Sequence, residues 1–240
     1  FRDLGAARRK AVPEEWGGRA TLLQFILSGI AIGAIYGLVG MALAISFYVT
    51  RIINFAQGQL MMVTVMVTAE LASSGFPVWL AAVAGLACSC IVGVLSYLIA
   101  VRPILMSNRF SFGWLVSTLG FAVIVENAAA YIWGPTSQAF PPILNKISLP
   151  IGDAVLTAQQ LLAIATATIL AGGFEVVRRH TLFGKLGMAT AADPEMASAI
   201  GANTTVVAIV AFAVSAVFAG IAGLLIGPTT FANPYLGDTF

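Results

Sequence analysis

The sequence predicts an all-α fold, a polytopic bundle of transmembrane helices with about six spans in this chain. Three observations predict it. Hydrophobic residues make up 59% and charged residues 9% of the 240 positions, where an average globular chain carries about a quarter charged residues, and the mean hydropathy is +0.95. Too little polar surface remains to coat a particle in water. Six apolar segments can be marked along the chain, each close to the roughly 20 residues that a helix needs to cross a bilayer. Small residues recur at four-residue spacing, at Gly29, Gly33 and Gly37 and again at Ser215, Ala219, Gly223 and Gly227, a pattern that lets helix backbones approach closely in lipid. A single-pass anchor would not need such stripes.

Residues 1–20 form a polar tail of mixed charge, with Arg8, Arg9 and Lys10 followed by Pro13, Glu14 and Glu15. No cleavable signal peptide is evident, because the first apolar stretch is longer than a signal's hydrophobic region, so the span from Leu22 onward is expected to be retained. Residues 21–240 form the transmembrane domain. Its first segment, 22–49, and its second, 52–72, are separated only by Thr50 and Arg51; a link that short predicts an abrupt reversal or a broken helix. The third, 78–101, follows the turn Ser73-Ser74-Gly75-Phe76-Pro77, and the fourth, 114–133, follows a loop holding Arg102 and Arg109. A polar, proline-bearing loop covers 134–159. The fifth segment is 160–177, a long loop covers 178–203, and the sixth segment is 204–227. Cys88 and Cys90, two apart in an apolar run, read as buried thiols that pack as small hydrophobes.

Basic residues in short loops stay on the cytoplasmic side. If every segment crosses once, Arg51, Arg102, Arg109, Arg178, Arg179 and Lys185 share one side and only Lys146 lies on the other, which makes the 178–203 loop cytoplasmic. The same alternation puts the basic tail outside. The formal charge of +2 is small and scattered, which argues against a nucleic-acid surface.

Three constellations can carry function. The stretch Ile53-Asn54-Phe55-Ala56-Gln57-Gly58-Gln59 puts amides where one hydrophobic segment ends and the next begins, and an unsatisfied amide in lipid is expensive. Thr64 and Thr68 follow Gln57 seven and eleven positions later, close to one face of a helix; such a stripe can line a polar path or simply bond neighbouring helices. Glu126 and Asn127 lie deep in the fourth segment, where an ionisable group faces the bundle interior or a wet cavity. In the 178–203 loop, Asp193 can cap a short helix over 194–200 whose first turn holds Pro194 and Glu195, and Gly201 can end it. Met196, Ala197 and Ile200 are its apolar contacts, and such a surface helix needs a partner. His180, beside Arg178 and Arg179, reads as an interfacial residue.

No phosphate loop is present: Gly184-Lys185 is followed by Leu186 and lacks the upstream glycine that such a loop requires. The chain has no metal-ligand cluster, nucleophile elbow or paired-carboxylate site in its sequence pattern, which places an enzyme reading last.

The Asn54-Phe55-Ala56-Gln57-Gly58 motif, the stretch Ala192-Asp193-Pro194-Glu195-Met196-Ala197 with Gly201, and the closing Asn233-Pro234-Tyr235-Leu236-Gly237 together resemble the LivH-type permease of branched-chain amino acid ABC importers. Arg102-Pro103 and the run from Gly120 to Asn127 fall where that family has similar motifs, so the resemblance extends from Leu22 to the last residue. It implies a permease that pairs with a second, related permease, two cytoplasmic ATPase subunits and an external or periplasmic solute-binding protein, in the lipid bilayer of a bacterial inner membrane. It implies no cofactor in this chain, with ATP and Mg on the partner ATPase subunits. By that resemblance Asn54, Gln57 and Gln59 lie near the passage, and Asp193, Pro194, Glu195, Met196, Ala197, Ile200 and Gly201 couple to an ATPase; the stripe of Thr64 and Thr68 and the intramembrane pair Glu126 and Asn127 are assigned to the translocation pathway on the residues themselves. Family members continue into further membrane segments, so a longer full-length protein is expected. The rival reading is a secondary transporter or channel working without ATPase subunits, with Glu126 as a proton or ion site.

Overall fold

A computed structural model of the chain describes residues 14–107, 112–140, 148–151 and 154–239. Arg109, Lys146 and the Arg8, Arg9 and Lys10 cluster lie outside the described residues. The first helix, α1 (Glu14–Thr50), begins inside the stretch expected to be a tail. It stops where Thr50 Oγ1 donates to the Ser46 carbonyl at 2.9 Å and Arg51 enters the left-handed region with φ 58, a conformation that costs an L-residue roughly 1–2 kcal/mol. The chain then climbs without helix to α2 (Gln57–Ser73). A Pro77-led turn opens α3 (Val78–Leu95), which runs on through a π-helical stretch, Ser96–Val101, into α4 (Arg102–Ser107). Pro103 has no N–H with which to continue the regular ladder, and the wider turns lie just before it. Ser117 Oγ donates to the Ala100 carbonyl at 2.8 Å and ties this irregular stretch to α5 (Gly113–Trp133).

The expected loop after α5 carries a short antiparallel hairpin, β1 (Ser148–Ile151) with β2 (Ala154–Thr157), in the register Ser148 opposite Thr157. A capping box starts α6 (Ala158–His180): the Thr157 hydroxyl accepts from Gln160 N at 3.3 Å and the Gln160 side-chain Oε1 accepts from Thr157 N at 3.0 Å. At its far end Arg178 donates two bonds to Glu175, at 2.7 and 2.8 Å, and Arg179 donates to the same carboxylate. The 178–203 stretch is not a loop around one helix, because it holds two: α7 (Leu182–Ala192) and α8 (Pro194–Ala199). Thr181 caps α7 by accepting from Gly184 N at 3.1 Å, and only glycine fits at 184, where a Cβ would run into the Arg178 backbone. The last long helix, α9 (Thr204–Thr230), is capped by Asn203 and is followed by a 3₁₀ turn, Leu236–Thr239.

Among the described residues, five segments, Leu22–Thr50, Val78–Met106, Gly113–Trp133, Ala158–His180 and Thr204–Thr230, are long and apolar enough to cross a membrane. The second expected span falls short: α2 has 17 residues, about 25 Å at 1.5 Å per residue. It sits at the centre, buried from Gln57 through Met66, and packs against α3 and α9 with α1 beyond. Glycines set those contacts. A Cβ at Gly85 would meet Thr68 and Thr64, and one at Gly220 would meet Thr64, while Gly223 lies against Met61 as its stripe predicts. The other stripe meets none of the described residues: Gly29, Gly33 and Gly37 have none of their atoms within 4 Å of a Cβ position. The core-facing side of α1 carries Ala31, Ile35, Leu38, Ala42 and Ile45 instead, so alanines and branched aliphatic side chains rather than glycines are buried there.

Candidate functional site

The break between Thr50 and Gln57 is built from both sides. Gln57 Nε2 donates to the Ser215 carbonyl at 3.1 Å, and Ser215 lies near the middle of the 27-residue α9. Ile52 packs with Ala208 and Phe212, nearer the start of α9. The α2 N-terminus therefore lies at mid-depth in the bundle, and residues 51–56 reach it as irregular backbone. Such backbone is tolerated inside a membrane only where protein or a water-filled path surrounds it. Asn54 is fully buried: its Oδ1 accepts from Ala56 N and from Ser96 Oγ, both at 3.2 Å, and its Nδ2 has no protein partner. No side chain caps the first turn of α2, so the positive end of the helix dipole stands at mid-depth beside an unsatisfied amide donor.

Gln57 and Gln59 point to different neighbours. Gln57, 3% exposed, is clasped on α9, with Ser215 Oγ 3.1 Å from its Oε1 and 2.6 Å from the Ala42 carbonyl of α1. Gln59 Nε2 lies 3.1 Å from Asp238 Oδ1 and 3.4 Å from Glu126 Oε2, so one amide gathers two acids, from the C-terminal turn and from α5. That turn is pinned by Gln138 and Ala232, whose backbones exchange bonds of 2.7 and 3.0 Å, and by Gly58 and Gly237, whose backbones touch without room for a Cβ. Thr64 and Thr68 donate to the Leu60 and Thr64 carbonyls and fill the seams to α3 and α9. Asn127 is exposed, with Nδ2 bonded to the Val123 carbonyl at 2.8 Å. Sequence reasoning missed Ser215, read there only as a small residue in a stripe, and Asp238, whose signal was an acid at the end of an apolar domain.

Replacing Gln57 by Leu keeps bulk but deletes the clasp, and interhelical hydrogen bonds in membranes contribute about 0.6 to 2 kcal/mol. The variant is expected to melt earlier in detergent. Because Ser215→Ala removes the hydroxyl half of the same contact, the double variant should lose less than the sum of the two singles; simple additivity would show that the two side chains do not act together.

At the end of the bundle where α1 finishes and α9 starts, Arg51 NH2 donates to the Ala191 carbonyl of α7 at 3.2 Å. Arg178 reaches Met188 of α7 at the same end. Asp193 Oδ1 accepts from Glu195 N and Met196 N at 2.9 and 3.0 Å, Pro194 opens α8, and Gly201 ends the turn at φ 92. Ala197 is buried, whereas Met196 and Ile200 are 68% and 78% exposed. Ile200 stands one residue beyond α8, as its C-cap. Two large apolar side chains thus project from a capped helix, largely uncovered by the described residues.

Residues 25–239 match the family described as "Branched-chain amino acid transport system / permease component". The chain is 28% identical over 230 residues to the high-affinity branched-chain amino acid transport system permease protein LivH of Salmonella typhimurium, covering 90% of this chain and 74% of the relative. It is 28% identical over 236 residues to LivH of Escherichia coli K12, with the same coverage, and 25% identical over 220 residues to the permease protein BraD of Pseudomonas aeruginosa, covering 85% and 70%. No solved structure matches the chain.

Proposed function

The chain belongs to the family of permease components of branched-chain amino acid transport systems, and from that premise we propose that it passes branched-chain amino acids or related small solutes across a bacterial inner membrane as the permease subunit of an ABC importer. The observation that carries this reading is the mid-depth start of α2, where Asn54 offers an unpartnered donor and Gln59 gathers Glu126 and Asp238. A zwitterion crossing there would present its carboxylate to the amide and helix N-terminus and its ammonium to the acids. Asn54, Gln59, Glu126 and Asp238 are the pathway groups in this reading. Gln57, Thr64 and Thr68 hold the walls together, and Asn127 flanks Glu126.

No covalent step occurs in this subunit. ATP and Mg act on two partner ATPases, a second permease completes the passage, and a solute-binding protein delivers cargo from outside. The lever is α8, with Asp193, Pro194, Glu195, Met196, Ala197, Ile200 and Gly201. It follows α7, whose Ala191 carbonyl holds Arg51 at the helix break, so a push on α8 reaches the mid-depth site through one hydrogen bond and through α9. Alternating access then becomes a two-state movement of these elements. The test is ATP-dependent uptake of L-leucine by proteoliposomes holding the permeases, ATPases and binding protein; ATP-independent uptake by this chain alone would favour the secondary-transporter reading.

The basic residues Arg51, Arg178, Arg179 and Lys185 place the α7–α8 end in the cytoplasm in this reading. A cysteine at Ala192, which is exposed, in a background lacking Cys88 and Cys90, is expected to resist an impermeant thiol reagent in intact cells and to react after lysis. Ready labelling from outside would reverse the orientation.

A further inference from the structure

A cavity of about 390 Å³ opens between the helix break and α7–α8, within the size range of small-molecule pockets. Arg51 is the one charged residue among the described residues that line it, and Ile52, Leu105, Trp114 and Ala208 give it an apolar wall. Three features mark it as more than a packing gap. The Arg51 guanidinium makes one bond, to Ala191, and its other N–H groups have no acceptor among the described residues, although guanidinium offers five donors in a fork suited to carboxylate and phosphate. Arg51 holds this position from a left-handed backbone, φ 58, which persists only where the surroundings over-determine it. Thr190, also on the wall, carries a buried hydroxyl with no protein partner. Asp193 does not line the cavity; its Oδ1 turns to the start of α8, where it accepts from Glu195 N and Met196 N.

We propose that this cavity binds a small molecule with one anionic group and an apolar body, the anion on Arg51 and Thr190 and the body against Ile52, Leu105 and Trp114. The proposal stands apart from the transport reading, because it concerns occupancy of a pocket outside the mid-depth site. Two sources supply that chemistry: a free medium-chain carboxylate from the water at this end, or the headgroup of an anionic phospholipid from the adjoining leaflet. Either occupant would sit between the Arg51–Ala191 link and α8, where Pro194 also lines the cavity.

The test uses Trp114 as reporter, with Trp16, Trp79 and Trp133 replaced by Phe, in the full chain held in phosphatidylcholine nanodiscs. Octanoate and dioctanoyl-phosphatidylglycerol are titrated separately. A saturable change in emission with either probe, its midpoint weakened about tenfold by Arg51→Gly, is the expected result, and the probe that responds identifies the source. Gly relieves the positive φ, so loss of binding there is loss of the guanidinium rather than of the fold. Should Arg51→Gly nevertheless fail to fold, Thr190→Val decides, since removing an unpartnered hydroxyl leaves the packing intact; its midpoint is expected to weaken several-fold. No saturable response to either probe, or an unchanged midpoint in the deciding variant, overturns the proposal.

Discussion

Gly58→Ala is expected to abolish uptake and to lower the melting temperature of the subunit more than any other single methyl added to the bundle. A Cβ at 58 points straight into the Gly237 carbonyl, far inside van der Waals contact, and both sides of that collision are backbone. No side chain can rotate away, so the Leu236–Thr239 turn must lift from α2. Overpacking of this kind costs about 1–3 kcal/mol, and the lift also carries Asp238 away from Gln59, dismantling the cluster of amide and acids at mid-depth. The control is Gly29→Ala, at a position with nothing within 4 Å, where helix propensity alone predicts a gain of up to about 1 kcal/mol. Uptake in proteoliposomes and thermal unfolding in detergent are the measurements. Wild-type behaviour of Gly58→Ala would mean that the turn does not seat on α2.

Ile200→Asp is expected to leave the subunit folded and monodisperse while ATPase co-purification and substrate-stimulated hydrolysis are lost. Ile200 is 78% exposed, so the carboxylate meets water in the free subunit and costs the fold little. Docked against an ATPase it would be buried without a partner, a penalty of several kcal/mol. Asp193→Ala should act more weakly, since it removes only the cap of α8, about 0.5 to 2 kcal/mol of local helix stability. The order of the two effects is itself diagnostic. A pull-down in detergent and an ATPase assay in proteoliposomes read both, and wild-type levels for Ile200→Asp would remove α8 from the coupling role.

Much of this architecture was legible without coordinates. Hydropathy marks the spans because lipid forces backbone polar groups into helices, and five of the six expected segments are helices of spanning length. The capped helix at Asp193 was legible to within a residue, because capping is local chemistry: one carboxylate, two backbone donors and a proline. The interruption after Thr50 was also legible, since only two residues separate two apolar runs.

Other features depend on residues far apart in the chain. Nothing local distinguishes Gly58 from Gly29, yet one touches Gly237 and the other touches none of the described residues. Gln57 and Gln59, two positions apart, face different helices: one is clasped by Ser215, 158 residues away, and the other meets Glu126 and Asp238. The 134–159 stretch reads as a loop, while its hairpin rests on pairing that short segments do not announce; α7 was hidden in a region without strong hydrophobic period. What the sequence by itself determined is the class of protein, its helical content, the break before α2 and the cap on α8, because burial in lipid and capping act within a turn or a span. What only the tertiary structure decided is that α2 starts at mid-depth, which polar groups bind walls and which stay unpartnered, and where a cavity forms. Those depend on which helix lies beside which, and long-range packing is set by the whole bundle rather than by any one segment.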